Sequence, residues 1–88
     1  MTKAEKEKYI IEQLRYFGEV REMNGYVEND IVLNILSQAI WNKRAWDNSC
    51  RLILTAEELR TVNKVYKSML DKKIIVKSKK GTCTKLII

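Results

Sequence analysis

The sequence predicts an α+β chain, mainly helical, in which three main helices precede a C-terminal β-hairpin. Three observations carry that expectation. Apolar residues recur at helical spacing in three separate stretches. Two β-prone runs stand together at the end of the chain around a basic Lys80-Gly81 turn. The 88 residues, 45% hydrophobic and 32% charged, suffice for one small core and are too few for two.

No proline punctuates the chain, so glycines and capping residues must do so. Residues 3 to about 17 form the first predicted helix: Ile10, Leu14 and Phe17 fall at i, i+4 and i+7, Ile11 widens the stripe, and Glu5, Lys6, Lys8, Glu12 and Arg15 supply a wet face. Gly18 is one candidate stop. The spacing also continues through Val20 and Met23 to Asn24-Gly25, a stronger stop because both residues tolerate positive φ, and the boundary stays open between the two. Asn29 or Asp30 should cap the second helix by accepting free amide hydrogens of its first turn. From 31 to 41 nearly every position is apolar, which makes this the most buried helix. The polar stretch that follows, with its Asp47-Asn48-Ser49 cluster, is a loop, and Cys50-Arg51-Leu52-Ile53-Leu54 has the composition of one short strand.

Thr55-Ala56-Glu57-Glu58 is a capping box, in which the threonine hydroxyl and the glutamate carboxylate each accept the other's backbone amide. It opens a helix over 56–72 with an inner stripe of Leu59, Val62, Tyr66, Met69 and Leu70. The opposite stripe is Arg60, Asn63, Lys64, Lys67 and Asp71. Residues 74–78 and 83–88 are the two hairpin strands.

Charge is divided unevenly. Residues 51–88 carry ten cations against three acids, a net +7, while residues 1–50 carry −1. A polyanion is the natural partner of the second half. Enzyme chemistry is not expected. There is no histidine, and Cys50 and Cys83 stand far apart without a CxxC partner, so neither a zinc site nor a Cys-His nucleophile has its parts. Catalytic residues, metal ligands, cofactors and a small-molecule substrate are all expected to be absent. A Cys50–Cys83 disulfide stays open, but two ordinary thiols in a reducing cytoplasm is the preferred reading. The short apolar runs and hydrophilic start predict a soluble, cytoplasmic or nucleoid-associated protein without a membrane segment.

Arg60, Asn63, Lys64 and Lys67 are the residue types that contact phosphates and base edges, arginine with guanine and asparagine with adenine, and their spacing sets them along one helical line. Lys77, Lys79 and Lys80 lie on or beside the hairpin turn, where they could clamp a backbone. The plainer reading is that such cations are solvated, or guard a sheet edge against aggregation. Trp41 has the position of a core plug; Trp46 suits a plug or a base-stacking residue equally.

From Leu52 onward the chain resembles the winged helix-turn-helix superfamily: a capped helix running into Lys67-Ser68-Met69-Leu70-Asp71-Lys72-Lys73-Ile74-Ile75-Val76, a basic turn and a final apolar strand. Residues 33–46 are more loosely similar to the first helix of winged-helix domains in phage replication initiators. The resemblance implies one domain over 1–88, with 1–25 as first helix or N-terminal extension and 30–88 as a core containing helix 55–72 and wing 73–88. It also implies double-stranded DNA as partner, and transcriptional control or replication initiation of a phage or mobile element as setting. A regular helix-turn-helix takes about 20 residues. Residues 56–72 are therefore expected to form one continuous helix partnered by the helix from Asp30, with a compressed pair turning near Thr61 to Asn63 as the other arrangement. The alternating charges of residues 3–8 suit a subunit-bridging helix, hence a homodimer through the N-terminus. A small protein-interaction module, an inhibitor or adaptor, is the competing class.

Overall fold

The computed structural model describes residues 2–88, and two of its helices start on the same four-residue device. Thr2 and Glu5 exchange side-chain-to-amide bonds of 3.1 and 3.2 Å, and Thr55 and Glu58 repeat the exchange at 2.9 and 3.1 Å. These boxes open α1 (Lys3–Val20) and α3 (Ala56–Asp71). The Thr-x-x-Glu spacing at residues 2–5 signals the start of α1 as well as its counterpart signals that of α3.

Helix α1 ends between the two predicted stops. Gly18 lies inside it, and the reason for a glycine there is a close approach: a Cβ at Gly18 would stand 3.0 Å from the carbonyl oxygen of Gly25. The chain reverses through positive φ at Glu22, Asn24 and Gly25 and enters β1 (Tyr26–Glu28), which leads directly into α2 (Asn29–Trp41). After α3 come β2 (Ile75–Lys77) and β3 (Cys83–Leu86). The sheet is antiparallel in the order β1-β3-β2, with Val27 opposite Thr84 and Lys77 opposite Thr84 on its other side.

Two expectations are corrected here. The third strand is β1, not residues 50–54, which contribute only a single bridge from Leu52 to Trp46. Val27 is sealed at 1% exposure with β3 beside it, whereas Leu52 and Ile53 have no ladder to join and remain exposed. Nor do Asn29 and Asp30 cap α2: the cap position falls on Glu28, whose side chain makes no capping bond, and the Asn29 carboxamide is engaged elsewhere.

Helix α2 is the most buried, with Val32, Ile35, Leu36, Ser37 and Ala39 inside. It stops at Asn42 in the left-handed region, and residues 42–55 fold back as a small hairpin-like excursion. Ala45, fully buried, donates its amide to Asn34 Oδ1 and accepts from the Ile53 amide. Asp47 Oδ1 accepts from the amides of Ser49 and Arg51, closing the tip. Helix α3 runs without interruption, so no turn forms near Thr61 to Asn63. Ile10 and Leu14 of α1 share one core with α2, Val27, Leu54, Val62, Met69, Ile74 and Ile75. Among the described residues no helix is long and apolar enough to cross a membrane.

Alanine in a helix interior is ordinarily favoured over glycine by about 0.5–1 kcal/mol. Gly18→Ala is expected to go the other way, by about 1 kcal/mol net, because the new methyl meets the Gly25 backbone carbonyl at the entry to β1, whose central Val27 is buried. A melting temperature equal to or above wild type would show that the 21–25 turn yields freely.

The acid side of the stability profile follows from three carboxylates held below the ordinary glutamate range: Glu5 by its bonds to Thr2, Glu28 by the Arg21 guanidinium, and Glu58 first by the Lys43 ammonium and then by the Thr55 amide. A lowered folded-state value means stabilisation that is complete above about pH 4.3 and is lost as pH falls through the lowered values. Without histidine, stability should be flat from about pH 5 to 7. Denaturation at several pH values should show a shallower acid-side decline in Glu58→Gln; an unchanged profile would contradict the assignment.

Candidate nucleic-acid interface

Helix α3 is amphipathic in the sense its sequence requires. Val62 and Met69 are buried and Leu59, Val65, Tyr66 and Leu70 pack against the core, while Arg60, Asn63, Lys64, Lys67 and Asp71 are all exposed. Among the described residues, none of Arg60, Asn63, Lys64 and Lys67 takes part in an ion pair. Of the two acids in the first turn, Glu57 is exposed and Glu58 is already engaged, with Lys43 Nζ 2.9 and 3.1 Å from its two carboxylate oxygens. Asp71 lies at the far end of the stripe.

Beyond α3 the hairpin carries Lys77 on β2 and Lys79 and Lys80 at its tip, all exposed. The turn is closed by Gly81 N–H to Ser78 carbonyl at 2.9 Å and Ser78 N–H to Cys83 carbonyl at 2.9 Å, and Ser78 Oγ accepts from the Cys83 amide. Gly81 takes φ +75 with open space around it, which suits a glycine at a tight tip. Lys77 stands opposite Thr84 in the ladder and so points to the helix side of the sheet. Its ammonium lies 5.6 Å from the centre of the Tyr66 ring, a cation–π contact between hairpin and α3.

A hydrogen-bonded chain ties the same elements together beneath the surface. The Tyr66 hydroxyl meets Thr84 Oγ1 at 2.6 Å, Thr84 Oγ1 donates to Asn29 Oδ1 at 2.7 Å, and Asn29 Nδ2 donates to the Gly81 carbonyl at 2.8 Å. The Asn29 amide adds a bond to the Thr82 carbonyl at 3.0 Å. Asn29, Tyr66 and Asn63 also line one groove of about 240 Å³ between α2 and α3, together with Trp46 and Asp30. The structure thus brings the Asn63–Tyr66 edge of α3, Lys77 and the hairpin turn into one connected region. Asp30 sets a negative charge on the groove at the start of α2.

Asn29, Tyr66 and Thr84 were not among the site residues read from sequence. Their signal was weak: Asn29 has the appearance of a cap, Tyr66 of a core residue, and Thr84 of one more β-former. Trp46 is half-buried against the core and donates its indole N–H to the Asp30 carbonyl at 3.1 Å. Trp41 also packs on the core. Cys50 and Cys83 are free thiols. Among the described residues, no three Cys, Asp or Glu side chains converge as a metal-binding group would.

No family model, curated protein or solved structure matches the chain.

Proposed function

We propose that this protein is a non-catalytic double-stranded DNA-binding module of winged helix-turn-helix type, with α3 in the major groove and the β2–β3 hairpin on the adjoining backbone. The element order α1-β1-α2-α3-β2-β3, the sheet order β1-β3-β2 and the hairpin that follows the third helix agree with that architecture. The departure is the 42–55 connection, far longer than a turn of about 3–4 residues. Transcriptional control or replication initiation of a phage or mobile element is the setting such a module suits.

The observation that carries the reading is an exposed, unpaired Arg60-Asn63-Lys64-Lys67 line on a helix physically joined to a hairpin with Lys77, Lys79 and Lys80. A solvated helix face explains the first part alone. It leaves unexplained why the second cationic element is tethered to the same helix by a cation–π contact and a part-buried hydrogen-bond chain. Six such cations on about six phosphates would give log K against log salt a slope near −5. Exposed Val76, Ile87 and Ile88 at the β2 end of the sheet favour, more weakly, the alternative of a protein-interaction module.

Replacing Arg60, Lys64 and Lys67 together by alanine is expected to weaken duplex binding at every sequence and flatten the salt slope by about three units, with little change in melting temperature. Lys79→Glu with Lys80→Glu should weaken binding more than about tenfold at low salt and leave the protein monodisperse. Titration of a labelled duplex at two salt concentrations reads both. Unchanged affinity in the triple variant would remove α3 as the reading element; unchanged affinity in the double variant would make the hairpin a plain sheet edge.

A further inference from the structure

The hairpin is poorly equipped to fix its own tip. β2 has three residues and β3 four, and although β3 is also paired with β1, the ladder ends at Lys77 and Cys83, short of the tip. Within the turn Gly81 bonds only the Ser78 carbonyl through its amide, and its contact with the rest of the fold is made by its carbonyl. What its carbonyl reaches is Asn29, on the first turn of a helix 52 residues earlier.

The polarity of the chain from Tyr66 to Gly81 follows from the chemistry of its groups. A carboxamide oxygen can only accept, so Asn29 Oδ1 takes the single proton of the Thr84 hydroxyl, and Thr84 Oγ1 is left with lone pairs alone for Tyr66. The phenol must therefore donate. Turning the Asn29 amide over would set its oxygen 2.8 Å from the Gly81 carbonyl oxygen, two acceptors face to face, so the amide orientation is also determined. Each donor thus specifies the next acceptor, from α3 through β3 and α2 to the tip turn. Thr84 is wholly buried, and no water competes for its two bonds. A part-buried chain of this kind, centred on a buried hydroxyl, confers a unique geometry more than it confers stability.

We propose that Tyr66, Thr84 and Asn29 are positioning residues that set the wing tip relative to α3, so that Lys79 and Lys80 act on the same polyanion as the helix. The inference rests on the DNA-binding reading for its consequence, but the mechanical coupling exists in the free protein and is measurable there. Tyr66 serves twice. Its hydroxyl starts the chain and its ring carries the Lys77 ammonium, and Tyr66→Phe removes the first while keeping the second.

The test uses Thr84→Val, which keeps shape and deletes both bonds, Tyr66→Phe, and Thr84→Ser as the rescue. In the free protein, amide order parameters at residues 79–82 should fall from about 0.85 toward 0.6 or below in the first two variants and recover in the third. On DNA, Lys79→Ala with Lys80→Ala should cost the wild-type protein about tenfold in affinity but the Thr84→Val protein less than about twofold, because a wandering tip has little left to lose. A residue that only stabilised the fold would leave the two losses equal. Order parameters unchanged in both Thr84→Val and Tyr66→Phe, or a full tenfold loss in the Thr84→Val background, would overturn the proposal. Should Thr84→Val fail to fold, Tyr66→Phe carries both measurements. If the wild-type protein binds no duplex, the DNA-binding reading fails with it, and the relaxation data alone decide the coupling.

Discussion

The first residue of α2 faces a choice between its own helix and the rest of the molecule. An asparagine there can turn back to cap the free amides, a local bond available as soon as the helix forms. Asn29 instead gives its carboxamide to the Gly81 carbonyl and the Thr84 hydroxyl, and its backbone amide to Thr82. The non-local bonds win because their partners are otherwise stranded. Thr84 is fully buried, and an unpaired buried hydroxyl costs about 1–3 kcal/mol, whereas the uncapped start of α2 keeps access to water at exposed Asp30. From that one carboxamide the hairpin turn, the central strand and, through Tyr66, helix α3 acquire fixed places. The place of the hairpin turn relative to α3 depends on it.

Electrostatics reach the same surface by subtraction. Four of the eleven acids of this chain are engaged in structure: Glu5 and Glu58 close capping boxes, Glu28 pairs with Arg21, Glu58 also holds Lys43, and Asp47 closes the 47–51 turn while pairing with Arg51. The cations of α3 and the hairpin make no ion pair among the described residues, although Lys77 and Lys85 lie over tyrosine rings. A formal excess of +7 over residues 51–88 therefore becomes a local field. Such a field steers a polyanion and raises the rate of encounter, with a strength that falls steeply as salt rises.

What was legible from residues alone was whatever short-range rules decide. The Thr55-Ala56-Glu57-Glu58 box and the i, i+3, i+4 stripes of α3 are contained within one helix, and both appear as read. The near-continuous apolar run of α2 announced its burial, and the basic turn announced the hairpin. Strand β1 was invisible because three residues have no period, and because its partner β3 lies more than fifty residues away. Residues 50–54 looked like a strand on composition and lacked only a neighbour, which no local pattern supplies. Gly18 looked like a stop because glycine usually is one; its role is set by the Gly25 carbonyl across a turn. The candidate site divides the same way. Its exposed cations were readable as a helical line, while the buried residues that join them to the hairpin were not.

The most direct measurement is a two-dimensional amide and side-chain NMR titration of the protein with a short DNA duplex at low salt. The account predicts shift changes concentrated at Arg60, Asn63, Lys64 and Lys67 and at Lys77, Lys79 and Lys80, moving together with one affinity and reversing as salt is raised, while the outer face of α1 around Glu12 and Glu19 stays still. Shifts confined to α1 or to the Val76–Ile88 end of the sheet, or no shifts at all, would contradict it.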